Sequence, residues 1–317
     1  MRRFQVRDRA ERTVSEGLFG HRGRWYVLAL VAALVLGLVA AVPAFAASEE
    51  NIEPQVVGGK PVPDGKYPFM AALEGRFPEE PGGEPSPSTP FEQFCGGSLV
   101  DRDHVMTAAH CVDFIGDPRD LSLEDFRVVV GRTVLGSDQG QVRQVEGLQD
   151  ISIHPRWAPN TSLAYDAAVI ELERPVGGIE PIKPATARQD FLERPGRLAT
   201  VIGWGNTTSV PPFGGGEIDL PERLREVQVP LVSDEEAREA HGKLYNPVAM
   251  VAAGKKGKDA CFGDSGGPLF DTVEGKRYQI GIVSNGLGCA RTRFPGLYTE
   301  VNAPRVHNFI ERKTARN

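Results

Sequence analysis

Short apolar runs separated by turn-forming residues make up much of the chain after residue 94. The runs are three to six residues long, and glycine, proline and polar residues interrupt them frequently. Many short strands broken in this way indicate an all-β barrel or sandwich. The predicted strands are 98–100, 126–130, 168–170, 199–202, 279–283 and 296–301.

Two segments depart from this strand pattern. Near the C-terminus, Val306, Phe309 and Ile310 have a helical spacing, which predicts one packed terminal helix. Residues 76–93 contain five prolines and two adjacent glycines, so they cannot pair well in a sheet. We expect an exposed loop inserted between two strands there.

The N-terminus has the features of an export signal. An arginine-rich stretch, 2–24, precedes an apolar run over 25–45, and Ala44-Phe45-Ala46 offers the small residues of a signal-peptidase cut. We expect residues 1–47 to be a signal peptide and the mature protein to be secreted. The run approaches the length that spans a bilayer, so an uncleaved anchor, with the rest of the chain outside the cytoplasm, is the alternative. Membrane contact is expected only in that case.

Composition excludes several function classes. The chain has 317 residues, 40% of them hydrophobic, and a net charge of −6, which gives no support to a nucleic-acid partner. It has no CxxC pair, spaced histidine pair or phosphate-binding loop, so neither metal nor cofactor is expected. Acids and amides within 131–146 could line a loop, but they form no ligand pattern strong enough to assign calcium, which the sequence leaves open. Four cysteines allow three pairings, and export favours disulfides over free thiols.

Three segments carry residue combinations that structural needs alone do not explain. Residues 258–268 read Lys-Asp-Ala-Cys-Phe-Gly-Asp-Ser-Gly-Gly-Pro, with one serine among glycines and an acid. Residues 106–111 read Met-Thr-Ala-Ala-His-Cys, and 166–170 read Asp-Ala-Ala-Val-Ile. A serine hydroxyl is a poor nucleophile near neutral pH, so a histidine must take its proton and an acid must orient that histidine.

Together the three segments resemble the trypsin/chymotrypsin family of serine proteases, in which His, Asp and Ser follow in this chain order. The resemblance implies that Ser265 is the nucleophile, His110 the general base and then acid, and Asp166 the orienting carboxylate. The backbone N–H groups of Gly263 and Ser265 are the expected oxyanion hole.

The resemblance also implies an architecture. It covers about residues 56–313 and predicts two antiparallel β-barrels with the active site between them, followed by a C-terminal α-helix. We therefore expect 56–317 to be a trypsin-like protease domain. The implied disulfides are Cys95 with Cys111 and Cys261 with Cys289. A further disulfide common in the family is absent, and Ala237 and Ala252 stand at plausible positions for it.

The resemblance places Asp259 at the bottom of the substrate pocket, where a carboxylate selects a cationic side chain. Gly286 and Gly296 match the small residues that keep the pocket walls open, and Ser284 is expected to support the catalytic acid. The predicted substrates are proteins or peptides with Arg or Lys before the cleaved bond. An alternative for Asp259 is a surface acid paired with a neighbouring lysine.

Two residues depart from the trypsin-like pattern around this pocket. Ala260 stands where a serine often helps lysine reach the acid, so a stronger preference for arginine is expected. Asn285 replaces a tryptophan common after the serine of its segment, which leaves the more distant subsites uncertain.

Activation is expected to depend on a cut before Val56. In the family a new amino terminus at such a Val-Val-Gly-Gly motif pairs with the acid before the nucleophile, here Asp264. Residues 48–55 would then be a short propeptide. Gln55 precedes the cut, so an enzyme selective for Arg or Lys would need a separate activating protease. The alternative is that 56–59 are simply a first strand and turn.

These features predict an exported serine endopeptidase that works through an acyl-enzyme and is made as a zymogen. A non-catalytic binding protein with the same fold is the alternative from a different class, although such relatives usually lose a catalytic residue. An esterase with the same three residues is disfavoured because Asp259 suits a cationic side chain.

Overall fold

The computed structural model describes residues 56–78, 83–116, 121–211 and 218–315. The predicted signal peptide or anchor and the propeptide lie outside these residues, as does Gln55. Within them, no helix combines the length and apolar character that a membrane crossing requires.

Strands dominate the described part of the chain. In chain order they are β1 (Lys60–Pro61), β2 (Met70–Gly75), β3 (Glu92–Leu99), β4 (His104–Thr107), β5 (Phe126–Val130), β6 (Gln141–Arg143), β7 (Ile151–Ile153), β8 (Ala168–Glu171), β9 (Lys183–Pro184), β10 (Leu198–Gly203), β11 (Arg225–Pro230), β12 (Met250–Ala253), β13 (Pro268–Val273), β14 (Lys276–Asn285) and β15 (Gly296–Glu300).

The strands form two sheets. The first has the order β6-β5-β2-β3-β4-β8-β7, and the second has the order β1-β11-β10-β13-β14-β15-β12, with β9 added beside β14. All pairs are antiparallel except the short pairing of β9 with β14. Both sheets curl into half-barrels, which confirms the predicted all-β, two-barrel architecture.

Helices are few and short. Two α-helices occur in the described residues, α1 (Asp234–His241) and α2 (Pro304–Thr314). The 3₁₀ helices are Ala109–Cys111, Leu123–Asp125, Leu148–Asp150, Ala187–Glu193 and Gly242–Leu244. The apolar residues expected in the terminal helix are buried in α2, which confirms that prediction.

The core follows from the strand pattern. Every residue of β2 is buried, since this central strand has a partner on each side and side chains packed on both faces. The predicted loop over 76–93 is shorter in the structure, because Glu92 and Gln93 already belong to β3. Residues 76–91 connect β2 to β3, and those described between 83 and 90 are mostly exposed.

Two disulfides brace the chain where the resemblance predicted them. Cys95 pairs with Cys111 and Cys261 with Cys289, so all four cysteines are paired. Ala237 and Ala252, the plausible positions for the absent bridge, are both buried.

Candidate active site

The histidine and the acid are brought together by adjacent strands of the first sheet. β4 and β8 are antiparallel neighbours, with Thr107 opposite Ala168. His110 follows the end of β4, and Asp166 precedes the start of β8, so both lie at the same edge of the sheet. His110 Nδ1 is 2.7 Å from Asp166 Oδ2, and the His110 backbone N–H donates to Oδ1 at 2.9 Å.

The second sheet holds the acid in place. Asp166 is only 1% exposed, and Ser284 Oγ of β14 donates to its Oδ2 at 2.6 Å. Thr299 Oγ1 of β15 donates to the Asp166 backbone carbonyl at 2.7 Å. Ser284 thus lies where the resemblance put it. Thr299 was not anticipated, since nothing in the strand pattern distinguishes it from an ordinary core threonine.

This arrangement sets the state of the imidazole. A carboxylate only accepts hydrogen bonds, so His110 Nδ1 carries the proton and, in the neutral ring, Nε2 keeps its lone pair. Burial alone would lower the pKa of His110, but the hydrogen bond and charge of Asp166 outweigh it, and the pKa is raised above the ordinary histidine value.

Ser265 lies in a tight turn between the Cys261 disulfide and β13. Its carbonyl accepts from Gly96 N–H at 2.7 Å, which ties the turn to the first sheet. The next residue, Gly266, has a φ of 78°, and a Cβ there would lie 2.2 Å from Thr107 Oγ1. Only glycine fits beside Ser265 at this position.

Ser265 and His110 line one cavity of about 270 Å³. Within the described residues no hydrogen bond joins their side chains, and such bonds are often long before substrate binds. The cavity brings the predicted nucleophile and base to a shared space large enough for a long side chain.

The turn before the serine presents two backbone donors. Gly263 has a φ of 93°, and its carbonyl points away to accept from Gln93 Nε2 at 2.9 Å. Among the bonds of the described residues, neither the Gly263 N–H nor the Ser265 N–H has an acceptor. Two unpaired N–H groups beside a nucleophile suit an anionic oxygen.

Asp259 lines the same cavity and is 1% exposed. Ala290 N–H donates to its Oδ2 at 2.9 Å, whereas its Oδ1 has no hydrogen-bond partner among the described residues. Burial raises the pKa of Asp259 to about 8, although the hydrogen bond from Ala290 and the nearby backbone N–H groups of Ala260 and Gly296 oppose the rise. A surface acid paired with a lysine, the alternative interpretation, does not fit this burial.

The other residues predicted for the pocket surround Asp259. Ala260, Ser284, Gly286 and Gly296 all line the cavity. A Cβ on Gly296 would lie 2.6 Å from Asp259 Oδ1, so a side chain there would block access to the free oxygen.

Asp264 is a second buried acid, and it has no exposed surface. Gly205 N–H donates to its Oδ1 and Cys261 N–H to its Oδ2, both at 2.8 Å. Burial raises the pKa of Asp264 to about 7, since these two bonds offset the lost hydration only in part. Val56 is also fully buried, and no ion pair to Asp264 occurs in the described part of the chain.

Two groups of side chains have the composition of metal ligands, but their contacts explain them without a metal. Cys95 and Cys111 beside His110 are joined in a disulfide. His104 Nδ1 lies 2.9 Å from an oxygen of Asp101, as expected for an ion pair.

Two curled β-sheets that bring a serine to the same cavity as a histidine, which is itself hydrogen-bonded to a buried acid, define a serine protease. Residues 56–310 match the family described as Trypsin, and the chain belongs to this family. It is a serine endopeptidase.

Three relatives illustrate the similarity. Trypsin of Saccharopolyspora erythraea is 38% identical over 251 residues, which cover 78% of this chain and 94% of that protein. The venom peptide isomerase heavy chain of Agelenopsis aperta is 31% identical over 263 residues, which cover 78% of this chain and 96% of that protein. The venom serine protease Bi-VSP of Bombus ignitus is 34% identical over 260 residues, which cover 78% of this chain and 66% of that protein.

Proposed function

We propose that this protease cleaves peptide bonds after arginine, and less readily after lysine, and that it is exported as an inactive precursor. The observation that carries the specificity is the free Oδ1 of Asp259 in the cavity that Ser265 also lines. A guanidinium donates two parallel hydrogen bonds, so it can meet a carboxylate that already accepts one bond from Ala290. A cation beside Asp259 would favour its ionised form.

The reaction uses the three residues in sequence. Ser265 Oγ attacks the carbonyl carbon of the scissile bond while His110 Nε2 takes its proton, and the carbonyl electron pair moves onto oxygen. The N–H groups of Gly263 and Ser265 donate to that oxyanion. His110 then protonates the leaving amine, the C–N bond breaks, and an acyl-enzyme remains. Water then attacks the ester carbonyl while His110 Nε2 takes its proton, the bond between the acyl carbon and Ser265 Oγ breaks as His110 returns the proton to Oγ, and the carboxylic acid product leaves.

Asp166 acts through His110 in both steps. Its carboxylate holds the imidazole in the tautomer that leaves Nε2 free, and it stabilises the imidazolium that forms after proton transfer. Ser284 and Thr299 are positioning residues, since they touch Asp166 and not the reacting atoms.

The precursor state is supported by the environment of Asp264. A buried carboxylate without a cationic partner is unfavourable, and the ammonium of a new terminus at Val56 would supply that partner. Val57 carbonyl accepts from Asp259 N–H at 3.2 Å, so the segment after the proposed cut already contacts the pocket. Gln55 before the cut favours activation by a separate protease.

Export is supported by the two disulfides and by the apolar run over 25–45. Cleavage of that run would release the enzyme, and retention would anchor it with the protease domain outside the cytoplasm. N-terminal sequencing of the active protein distinguishes these outcomes and also identifies the residue after the activating cut.

Hydrolysis of arginine amides by protein cut before Val56 tests the proposed activity. We expect Ser265→Ala to reduce kcat by roughly six powers of ten. Ser88→Ala, at an exposed serine, is the matched control and should leave the rate unchanged. An arginine-type organophosphonate should label Ser265 in the parent protein. Absence of both hydrolysis and labelling would instead favour a non-catalytic binding protein.

A further inference from the structure

Residues 291–295 connect two residues that line the substrate cavity. Before them comes Cys289 of the second disulfide, and after them comes Gly296, the first residue of β15. Residues 291–294 are half-buried or exposed, whereas Pro295 is buried. The segment belongs to no helix or strand, so its position depends on contacts from elsewhere in the chain.

His241 supplies those contacts. It is the last residue of α1 and is 5% exposed. Its Nε2 lies 2.8 Å from the Pro295 carbonyl oxygen, and its ring packs edge-on against Phe294, with the ring centroids 5.9 Å apart. In the described part of the chain, the bond to Pro295 is the single hydrogen bond of residues 291–295. One histidine therefore holds this side of the cavity.

The contact with Pro295 fixes the position of the proton on the imidazole of His241. A carbonyl oxygen only accepts hydrogen bonds, so Nε2 carries the proton and donates it. Burial lowers the pKa of His241 and outweighs the opposing effect of the Pro295 carbonyl, so the ring is neutral near neutral pH. Its other nitrogen, Nδ1, is buried without a partner among the described residues. The one N–H of the neutral ring is thus given to Pro295.

The helix that carries His241 is well anchored. Its two buried residues, Ala237 and His241, are four positions apart and share one face, and Ala237 packs in the hydrophobic core. At the start of α1, Ser233 Oγ accepts from Glu236 N–H at 3.1 Å. At its end, Gly242 has a φ of 57°, which suits glycine. The imidazole therefore projects from a capped and packed helix.

The peptide between Pro295 and Gly296 links His241 to the acid of the pocket. This peptide is trans, so its carbonyl and its N–H point in opposite directions. The carbonyl faces His241. The N–H lies near the Asp259 carboxylate and opposes the rise in its pKa, and a Cβ on Gly296 would lie 2.6 Å from Asp259 Oδ1. A turn of this peptide would therefore change both the wall of the cavity and the surroundings of Asp259.

We propose that His241 is a positioning residue for substrate recognition, which holds the Pro295–Gly296 peptide beside Asp259 and so keeps the cavity shaped for a cationic side chain. Because His241 acts through the pocket that Asp259 closes, this role rests on the proposed preference for arginine. His241 is not among the residues that line the cavity, so its loss should affect binding of the cation and leave the reacting groups intact.

Competitive inhibition by benzamidine, a planar amidinium cation, tests the proposal in protein beginning at Val56. His241→Phe removes the N–H and keeps a ring beside Phe294. We expect the inhibition constant, and KM for an arginine amide, to rise about tenfold, because the buried Pro295 carbonyl loses its donor. By contrast, kcat should change less than about threefold. Inactivation by diisopropyl fluorophosphate, a neutral reagent for Ser265, should keep its rate, because it needs no cation in the pocket.

Two further variants separate the hydrogen bond from a general loss of stability. His241→Gln places an amide N–H close to the position of Nε2, so the inhibition constant should return to within about threefold of the parent value. His154→Phe is the matched control, because His154 is also buried and its Nε2 lies 3.3 Å from the Arg305 carbonyl, away from the pocket. It should leave benzamidine inhibition unchanged even where it lowers the Tm. If His241→Phe fails to fold, His241→Asn replaces it, since its shorter amide does not reach Pro295.

Either of two results would overturn the role of His241. One is a His241→Phe protein that binds benzamidine as tightly as the parent. The other is a His241→Gln protein that binds it no better than His241→Phe, which would assign the effect to the lost ring shape and not to the hydrogen bond. A parent protein that neither binds benzamidine nor hydrolyses arginine amides would contradict the proposed specificity itself, and the role of His241 would fall with it.

Discussion

At the scale of single residues, one carboxylate oxygen accounts for the proposed specificity. Asp259 is buried with Oδ1 free, so removing its charge should weaken binding of a cationic side chain by roughly 3 to 5 kcal/mol. We expect Asp259→Asn to lower kcat/KM for an arginine amide by about two to four powers of ten. Asp138→Asn makes the same chemical change at an exposed site and should leave kcat/KM unchanged. Equal kcat/KM values for Asp259→Asn and Asp138→Asn would contradict the assignment of Asp259 to the substrate pocket.

The neighbouring residue should set the preference between the two basic side chains. Ala260 lines the cavity and offers no hydroxyl to a lysine ammonium. Ala260→Ser restores a hydrogen bond to a charged group, worth roughly 1.5 kcal/mol or more, so kcat/KM for lysine relative to arginine should rise about tenfold. Paired lysine and arginine amides measure this ratio. Ala187→Ser, at an exposed position, should not change it.

The His110–Asp166 pair predicts the pH dependence. Catalysis requires neutral Nε2, so kcat/KM should fall as the pH drops through the pKa of His110. Because Asp166 raises that pKa, activity should be lost at a pH above the ordinary histidine value. Asp166→Asn should move this acid limb to lower pH and also lower the maximum rate by about four powers of ten. An unchanged limb in the variant would exclude Asp166 as the cause.

At the scale of elements, six of the fifteen strands in the described residues were predicted from the sequence pattern, and their pairing was not. Apolar runs between turn residues identified β5, β8, β10 and β14 because this local pattern is what a buried strand requires. The contact between β4 and β8, which places the histidine beside the acid, joins segments far apart in the chain. Family resemblance, and not periodicity, supplied that contact in advance.

The same reasoning explains which site residues were missed. Thr299 became a positioning residue only through the pairing of β15 with β14, which turns its hydroxyl toward Asp166. A residue that reaches the site only through tertiary contacts leaves no signal in a single stretch of sequence.

The Cys261–Cys289 disulfide yields a prediction at this scale. It closes a segment of 28 residues that carries Ser265 and β14, so its loss should cost roughly 3 to 4 kcal/mol of unfolding free energy. Changing both cysteines to alanine should also raise KM for arginine substrates, because Cys261 and Cys289 line the cavity. The variant in which Cys95 and Cys111 are both changed to alanine is the comparison for stability and KM. Loss of stability without a change in KM would mean that the bridge does not shape the pocket.

At the scale of the whole molecule, the proposed activation joins the first described residue to the active-site turn. Asp264 lies one position before Ser265 and one after Gly263, so any shift of its carboxylate moves both the nucleophile and the expected oxyanion donors. An ammonium at Val56 would hold the Asp264 carboxylate in place. Without that partner, keeping this carboxylate buried and unpaired costs roughly 3 to 5 kcal/mol, which disfavours the active arrangement. We therefore expect the uncut chain to have a kcat/KM about two to four powers of ten below that of protein beginning at Val56.

Two comparisons separate the charge at Val56 from simple removal of the preceding residues. A chain beginning at Gln55 carries its ammonium one residue before Val56. The extra residue displaces the charge by about 3.5 Å along the chain, so this protein should remain nearly inactive. Asp264→Asn in protein beginning at Val56 should lose activity to a similar degree, because the carboxylate that attracts the ammonium is gone. If the uncut chain and the chain from Gln55 were as active as protein from Val56, the active-site turn would form without the ion pair, and Asp264 would be held by its bonds to Gly205 and Cys261 alone.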